Sequence, residues 1–512
     1  MADGFLFENI DDFTGKNNSE EKIKINRKKR MKKYNPDEYT LFYLEPDKMF
    51  PEGTYERFIV DIIKRLDLTK FEYTDKDDLG GNEEYNPKSM LGILFYGFTN
   101  GIFHGRKLEN LCRYDARYIY ISGSNTPEHS TISRFIADYT KQIIELFTQV
   151  LYIAIEFGYV NYKMTITDGT RIKANAGKKY SGTIEDFKKR KSRLEKKIKL
   201  AIMKQKIADR DDIAEYWGKK EERYKKAQDK ISNFLENAKE IYTKRKKEVE
   251  QNITDNDSRI MKAKDGGFIQ GYNAQVSACE ENGIVLACDV TNNSSDMDSF
   301  KTMVEKTIES APEGKKKEVK EGKWINDNGY YSIDNIKYCD ENKLDAYISD
   351  DRDKEIYKEG NEEGEIVFKN GCKKKGKDMY CRKDKKLKLK RVREQRKEKF
   401  CIFTIDDRKD CENCVNYKDC AGKEQKKGFW IKQTIFENID KIISMKKKLR
   451  TEEGRMIYSR RMPTVEKIFG YIKDVINFKR FTLRGIEKVD VQWHLLCMVY
   501  NLRRIYTLKY AE

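Results

Sequence analysis

The spacing of apolar positions changes period along the chain, and each change marks a region. From Pro87, placed as a helix-opening proline is, Met90, Leu91, Leu94, Phe95 and Phe98 recur at helical steps. RKLENLCRYD and STISRFIADYTKQIIELFTQVLYIAIEFG keep that period, which predicts a mostly α-helical domain over 41–160. At KMTITDGTRIKAN (163–175) the period falls to two, with Met164, Ile166, Asp168 and Ile172 on one parity and Thr165 and Thr167 on the other. An acid therefore sits inside a strand. FIQGYNAQVSA (268–278) and IVLACDV (284–290) predict two more strands, a helix begins near Met297, and WIND ends a fourth strand at Asp327, giving the order β-β-β-α-β. A helix from Ile333 to about Asn342 and a strand at 346–349 follow.

Two charged segments interrupt this α/β region of 161–512. In the first, 177–262, Ala227, Ile231, Phe234, Ala238 and Ile241 recur at steps of three or four, so 184–250 reads as a protruding helical hairpin. The second, 355–430, carries the basic run KKLKLKRVREQRKEK (385–399) and a cysteine cluster, and regular helix is expected again near 430. Residues 1–40, with KIKINRKKRMKK at 22–33, read as a basic flexible arm.

Composition adds a partner class. The 512 residues exceed what one core usually supports, and 37% charged residues with 12% aromatics and 7 prolines describe a folded, helix-rich chain. A formal net charge of +18 attracts polyanions, of which nucleic acid is the commonest. The opening MADGFLFENIDDF has acids where a secretory signal has bases, and MLGILFYGF and VLYIAIEFGYV are too short to span a bilayer, so neither export nor a membrane is expected. Eleven cysteines in such a chain are expected to be reduced thiols or metal ligands.

Phosphoryl transfer on DNA needs in-line geometry, charge neutralisation and an activated hydroxyl, which two hard cations held by a few carboxylates can supply. Asp168 lies within a core strand, where a carboxylate is costly unless paired or metal-bound. Asp327 ends a strand, and Gly329 permits a sharp exit from it. Glu466 stands in RMPTVEKIFGYIKDVINF, where Pro463 opens a helix whose Val465, Ile468, Phe469, Ile472 and Val475 bury one face. Glu466, Gly470 and Lys473 then share another stripe, an acid, a gap and a cation beside it. Asp289, ending IVLACDV, competes with Asp327. HSTISRF (129–135) puts a hydroxyl residue at a helix start and an exposed Arg134 where a helix-turn-helix reader would have one.

These stretches resemble bacterial insertion-sequence transposases with an RNase H-like DDE domain. TDGTRIKANA, KAKDGGFIQGYNAQV, DNGYYS, RMPTVEKIFGYIK and FKRFTLRGIEKVDVQWHLLCMVYNLRRI carry the resemblance, in order and over nearly the whole chain. It implies an RNase H-like α/β catalytic domain with two insertions behind a helical domain that binds DNA ends. It also implies cleavage and strand transfer through Asp168, Asp327 and Glu466 with two Mg²⁺ or Mn²⁺ ions, on double-stranded transposon-end and target DNA. A homodimer in the DNA complex and a cytoplasmic, nucleoid-associated location go with it. A related branch has Tyr-x₂-Arg-x₃-Glu-x₆-Lys, whereas four residues separate Arg461 from Glu466 here; Tyr458, Arg461 and Lys473 are the corresponding DNA-contacting positions. The alternatives are a transposase-derived DNA-binding protein without catalysis and a nuclease without strand transfer. Cys411, Cys414 and Cys420 in CENCVNYKDC, with Cys381 or Cys401 as a fourth thiol, are candidate ligands of a structural Zn²⁺.

Overall fold

The computed structural model describes residues 45–510, apart from 72–83, 243–245, 264–265, 351–356, 360–364, 369–370, 396–397, 408, 418–419, 421–430 and 437–438. The expected arm at 1–40 lies outside the described residues. Strands form where the alternation predicts at β1 (Met164–Lys173), β3 (Phe268–Cys279), β4 (Val285–Thr291), β5 (Lys323–Asn326) and β6 (Asp345–Ile348), and one more, β2 (Arg259–Lys262), forms at the end of the segment expected to be an insertion. They make a single sheet. β3 runs antiparallel to β1 and takes both β2 and β4 along its other edge, while β5 and β6 continue parallel on the far side of β1.

Alternation gives the sheet two different faces. Val276 and Cys288, on the parity of Asp168, lie beneath helix Ile486–Tyr510, where the Cys288 thiol meets His494 and Cys497. Asn501 of that helix hydrogen-bonds both the backbone N–H and C=O of Val285 at 2.8 Å, fixing the helix to β4. On the opposite face Ser310, ending helix Phe300–Ser310, donates to the Leu286 carbonyl at 2.8 Å.

The N-terminal helices Tyr55–Arg65, Pro87–Thr99, Gly105–Tyr114, Ala116–Ser122, His129–Asp138 and Thr140–Glu156 share one hydrophobic core with the sheet and with Ile486–Tyr510. The helix that starts at His129 departs from the expected hydroxyl cap. Glu128 is its N-cap and makes no side-chain cap bond, because the Glu109 carboxylate takes the His129 N–H (3.0 Å) and Nδ1 (2.9 Å).

Between β1 and β2 the chain forms two helices, Ile184–Lys206 and Asp211–Asn237, joined face to face with Phe187 and Phe234 rings 5.0 Å apart. The pair stops at Asn237, short of the expected 250. After β6 a second, seven-stranded antiparallel sheet runs as a meander from Tyr357–Glu359 to Lys432–Phe436 around its own small core of Ile366, Met379, Leu387, Ile405 and Ile435. Helix therefore resumes at Ile439, not near 430. Among the described residues no helix is long and apolar enough to cross a membrane.

Candidate active site

The β1–β5 ladder is parallel and pairs Thr167 with Asn326, so the next residues along the two strands are Asp168 and Asp327. Both point to the same face, and their carboxylates meet one cation. Arg461 reaches Asp168 Oδ2 with Nη1 at 3.0 Å and Asp327 Oδ1 with Nη2 at 3.4 Å. The arginine and Asp168 are each 14% exposed, so the interaction sits in a low-dielectric setting where it counts. Burial opposes the guanidinium charge, but Asp168 and then Asp327 outweigh it and raise the pKa. Arg461, expected at the DNA, spans the two acids here; among the described residues its Nε has no hydrogen-bond partner.

Arg461 opens helix Arg461–Gly470, two residues before Pro463. The helix buries Val465, Ile468 and Phe469 and then passes into a π turn at Tyr471–Val475. Such a turn inserts a residue and re-aims the side chains beyond it. Lys473 is directed by it onto β1, where Nζ donates to Thr170 Oγ1, two residues along from Asp168. The Tyr458 ring lies 6.0 Å from the Arg461 guanidinium. Glu466 is on the same helix but exposed, and makes no hydrogen bond or ion pair among the described residues. Among those residues, no group of three or more Asp, Glu, His or Cys side chains is gathered closely enough to hold a metal. Two of the three expected acids are thus brought together and the third is not joined to them.

Behind the pair, on the opposite face of the sheet, stands Asp296. Its Oδ1 accepts from Asn273 Nδ2 at 2.7 Å and Gln275 Nε2 at 2.8 Å, and Arg171 lies 3.5 Å from Oδ2. A side chain at Gly169 would come within 2.7 Å of Asp296 Oδ1, and one at Gly329 within 2.9 Å of Oδ2. The glycines beside Asp168 and Asp327 therefore leave room for one shared carboxylate. Sequence reasoning missed it. The available signal was the row Asn273, Gln275 and Ser277, polar and fully buried on one parity of β3. Asp289 faces the same side as Gln275, its ladder partner, and binds Lys306 at 2.5 Å, away from Asp168.

In the second sheet Cys381, Cys411, Cys414 and Cys420 line one cavity of about 50 Å³, whereas Cys401 does not line it. The Lys383 N–H donates to Cys381 Sγ at 3.4 Å. Burial, with the neighbouring thiols, pushes the Cys420 thiol up. The basic run is partly spent on the protein itself: Lys386 pairs with Asp378 at 2.8 Å and Lys388 with Asp406 at 2.5 Å. Arg391 and Arg393 are exposed, as is Arg134 on helix His129–Asp138.

Residues 44–138 match the family described as Transposase domain (DUF772), and residues 380–506 match the family described as Transposase DDE domain. Together the two matches support an insertion-sequence transposase of the DDE type. No curated protein and no solved structure matches it. In this transposase the DDE match spans Arg461, Glu466, Lys473 and the four cysteines of the cavity, while Asp168 and Asp327 precede it.

Proposed function

We propose that this transposase cleaves and rejoins the DNA of an insertion sequence by a metal-dependent reaction, on an RNase H-like domain with insertions at 177–262 and 355–430. The observation that carries the reading is the in-register pair Asp168 and Asp327 on neighbouring parallel strands, bridged by Arg461. The strand order β4-β3-β1-β5-β6, with an antiparallel half and a parallel half, supports the fold. The donor chemistry fits a hard divalent ion, Mg²⁺ or Mn²⁺: two carboxylates at adjacent positions, which Arg461 would have to release to an ion. Asp168 and Asp327 would hold it, with Glu466 as a third ligand from its helix. A bound ion there would activate the attacking hydroxyl and neutralise charge on the phosphate.

Within that site the chain's own groups have separate tasks. Asp296 and its two glycines keep the strand ends close, and Lys473, held beside Thr170, meets a DNA phosphate. Arg134 and the N-terminal helices contact transposon-end DNA, with the exposed arginines of the basic run on the backbone. The assembly is a homodimer on DNA ends and target, in the nucleoid. Cys381, Cys411, Cys414 and Cys420, which line one cavity, are the ligands we assign to a structural zinc, a reading that the sulfur-only donor set favours although the four thiols, all among the described residues, are not drawn together to ligand spacing in this structure.

The test is cleavage and joining of a duplex carrying the element's terminal sequence. Asp168→Asn, Asp327→Asn and Glu466→Gln should each abolish Mg²⁺-dependent cleavage and keep DNA-end binding, whereas Asp289→Asn should stay active. Cleavage without joined products would make the chain a nuclease. Full activity of Glu466→Gln would remove the third acid from the site, and binding without any cleavage by the unaltered protein would leave a DNA-binding protein only.

A further inference from the structure

A separate cavity of about 360 Å³ opens between helix Arg461–Gly470, helix Ile486–Tyr510 and the turn that joins β3 to β4. Arg461 turns to the acids, whereas Arg460, Thr464 and Lys467 beside it line this cavity. Arg503 and Arg504 enter from the second helix, with Tyr471 and Tyr500 between. Both acids at its rim are already engaged: Glu280 pairs with Arg460 at 3.2 Å, and Glu281 accepts from the Asn161 amide. Lys467, Arg503 and Arg504 form no ion pair among the described residues.

The arginines are nevertheless held in place. Arg504 Nε donates to the Asn282 carbonyl at 2.6 Å, and the Arg503 guanidinium lies 4.9 Å from the Tyr55 ring centre and 5.3 Å from that of Tyr506. Burial pushes the Tyr500 phenol up to about 12, so its hydroxyl stays a neutral donor. Lys467, Arg503 and Arg504 outnumber the one rim acid not in an ion pair, Glu281, and with the phenol they surround a space of nucleotide size where several charge-assisted hydrogen bonds could hold an anion at once. We propose that this cavity binds phosphate, carried by a DNA strand running past the active site or by a free nucleotide. The proposal goes beyond the cleavage reading and does not depend on it, since among the described residues Arg460, Lys467, Arg503 and Arg504 are not seen to bond Asp168 or Asp327.

Salt dependence separates the sources. Each phosphate contact adds about 0.9 to the slope of log binding constant against log salt for duplex DNA. Lys467→Gln, at an exposed position, should lower the slope for a random-sequence duplex by about one, and Lys467→Gln with Arg503→Gln by about two. Lys317→Gln, far along the chain on helix Lys316–Glu321, should not change it. Melting curves in inorganic phosphate and in dAMP form the second arm. If the slope is unchanged but these anions stabilise the unaltered protein and not Lys467→Gln, the ligand is a free phosphate compound. An unchanged slope together with no anion-dependent stabilisation overturns the proposal. Asp168→Asn should retain the effect, so loss of cleavage alone leaves it standing.

Discussion

Arg461 competes for the space a metal would claim, and that competition can be measured. Arg461→Gln leaves two adjoining carboxylates facing each other without a cation, and breaking such a half-buried pair costs about 3 kcal/mol. A divalent ion can then bind without displacing the guanidinium. The expected result is a variant that melts earlier than the unaltered protein in EDTA but gains more from Mg²⁺; equal gains would mean that Arg461 does not oppose metal at these acids. The sequence made Asp168 legible because an acid at an apolar parity of a strand stands out, and Asp327 because a strand end with Asn and Gly after it does. It did not make Arg461's partner legible, because Arg461 and Asp168 are 293 positions apart along the chain. Asp296 was invisible for a similar reason. It lies in a loop, SSDMDS, whose local pattern says only that the chain turns, and its partners come from β3.

At the scale of elements, strands and helices with a single clean period were legible, and the second sheet was not. Its strand Lys386–Gln395 alternates lysine and leucine at the start, but the register shifts between Leu389 and Arg391, so the alternation breaks midway. The neighbouring strands Lys373–Lys375 and Asp378–Tyr380 are three residues each, too short for any period to show. Such a sheet has a small core, and a metal staple would stabilise it. Purified protein should contain close to one zinc per chain, and Cys411→Ser with Cys414→Ser should lose it. Chelation should then make the segment around 357–436 the first cut by protease, while the sheet holding Asp168 stays intact. Metal-free protein with a resistant 357–436 segment would refute the zinc assignment.

At the scale of the molecule, the helical N-terminal region and the α/β region were expected as successive domains, and periodicity could not have said otherwise. Period reveals which face of a helix is apolar, not which element covers it. Here helix Ile486–Tyr510 supplies the cover for both, burying Trp493, Leu495, Leu496 and Met498 completely, with the Trp493 indole N–H on the Gln275 carbonyl at 3.0 Å. Trp493→Ala should cost about 3–5 kcal/mol, and denaturant unfolding tracked by probes in 55–156 and in β1–β6 should shift together. If only the sheet weakens, the two regions are independent after all. The same arrangement has a temporal side. Tyr506 donates to the Gly53 carbonyl at 2.7 Å across 453 residues. A ribosome adding roughly 5–20 residues per second needs about 20–90 s to cover that distance. Throughout that interval Pro87–Thr99 can pack only on its neighbours in sequence, such as Tyr55–Arg65 and Ala116–Ser122, while the face that meets Ile486–Tyr510 stays uncovered, so a chain cut short before Ile486 should be cut by protease faster than the full chain.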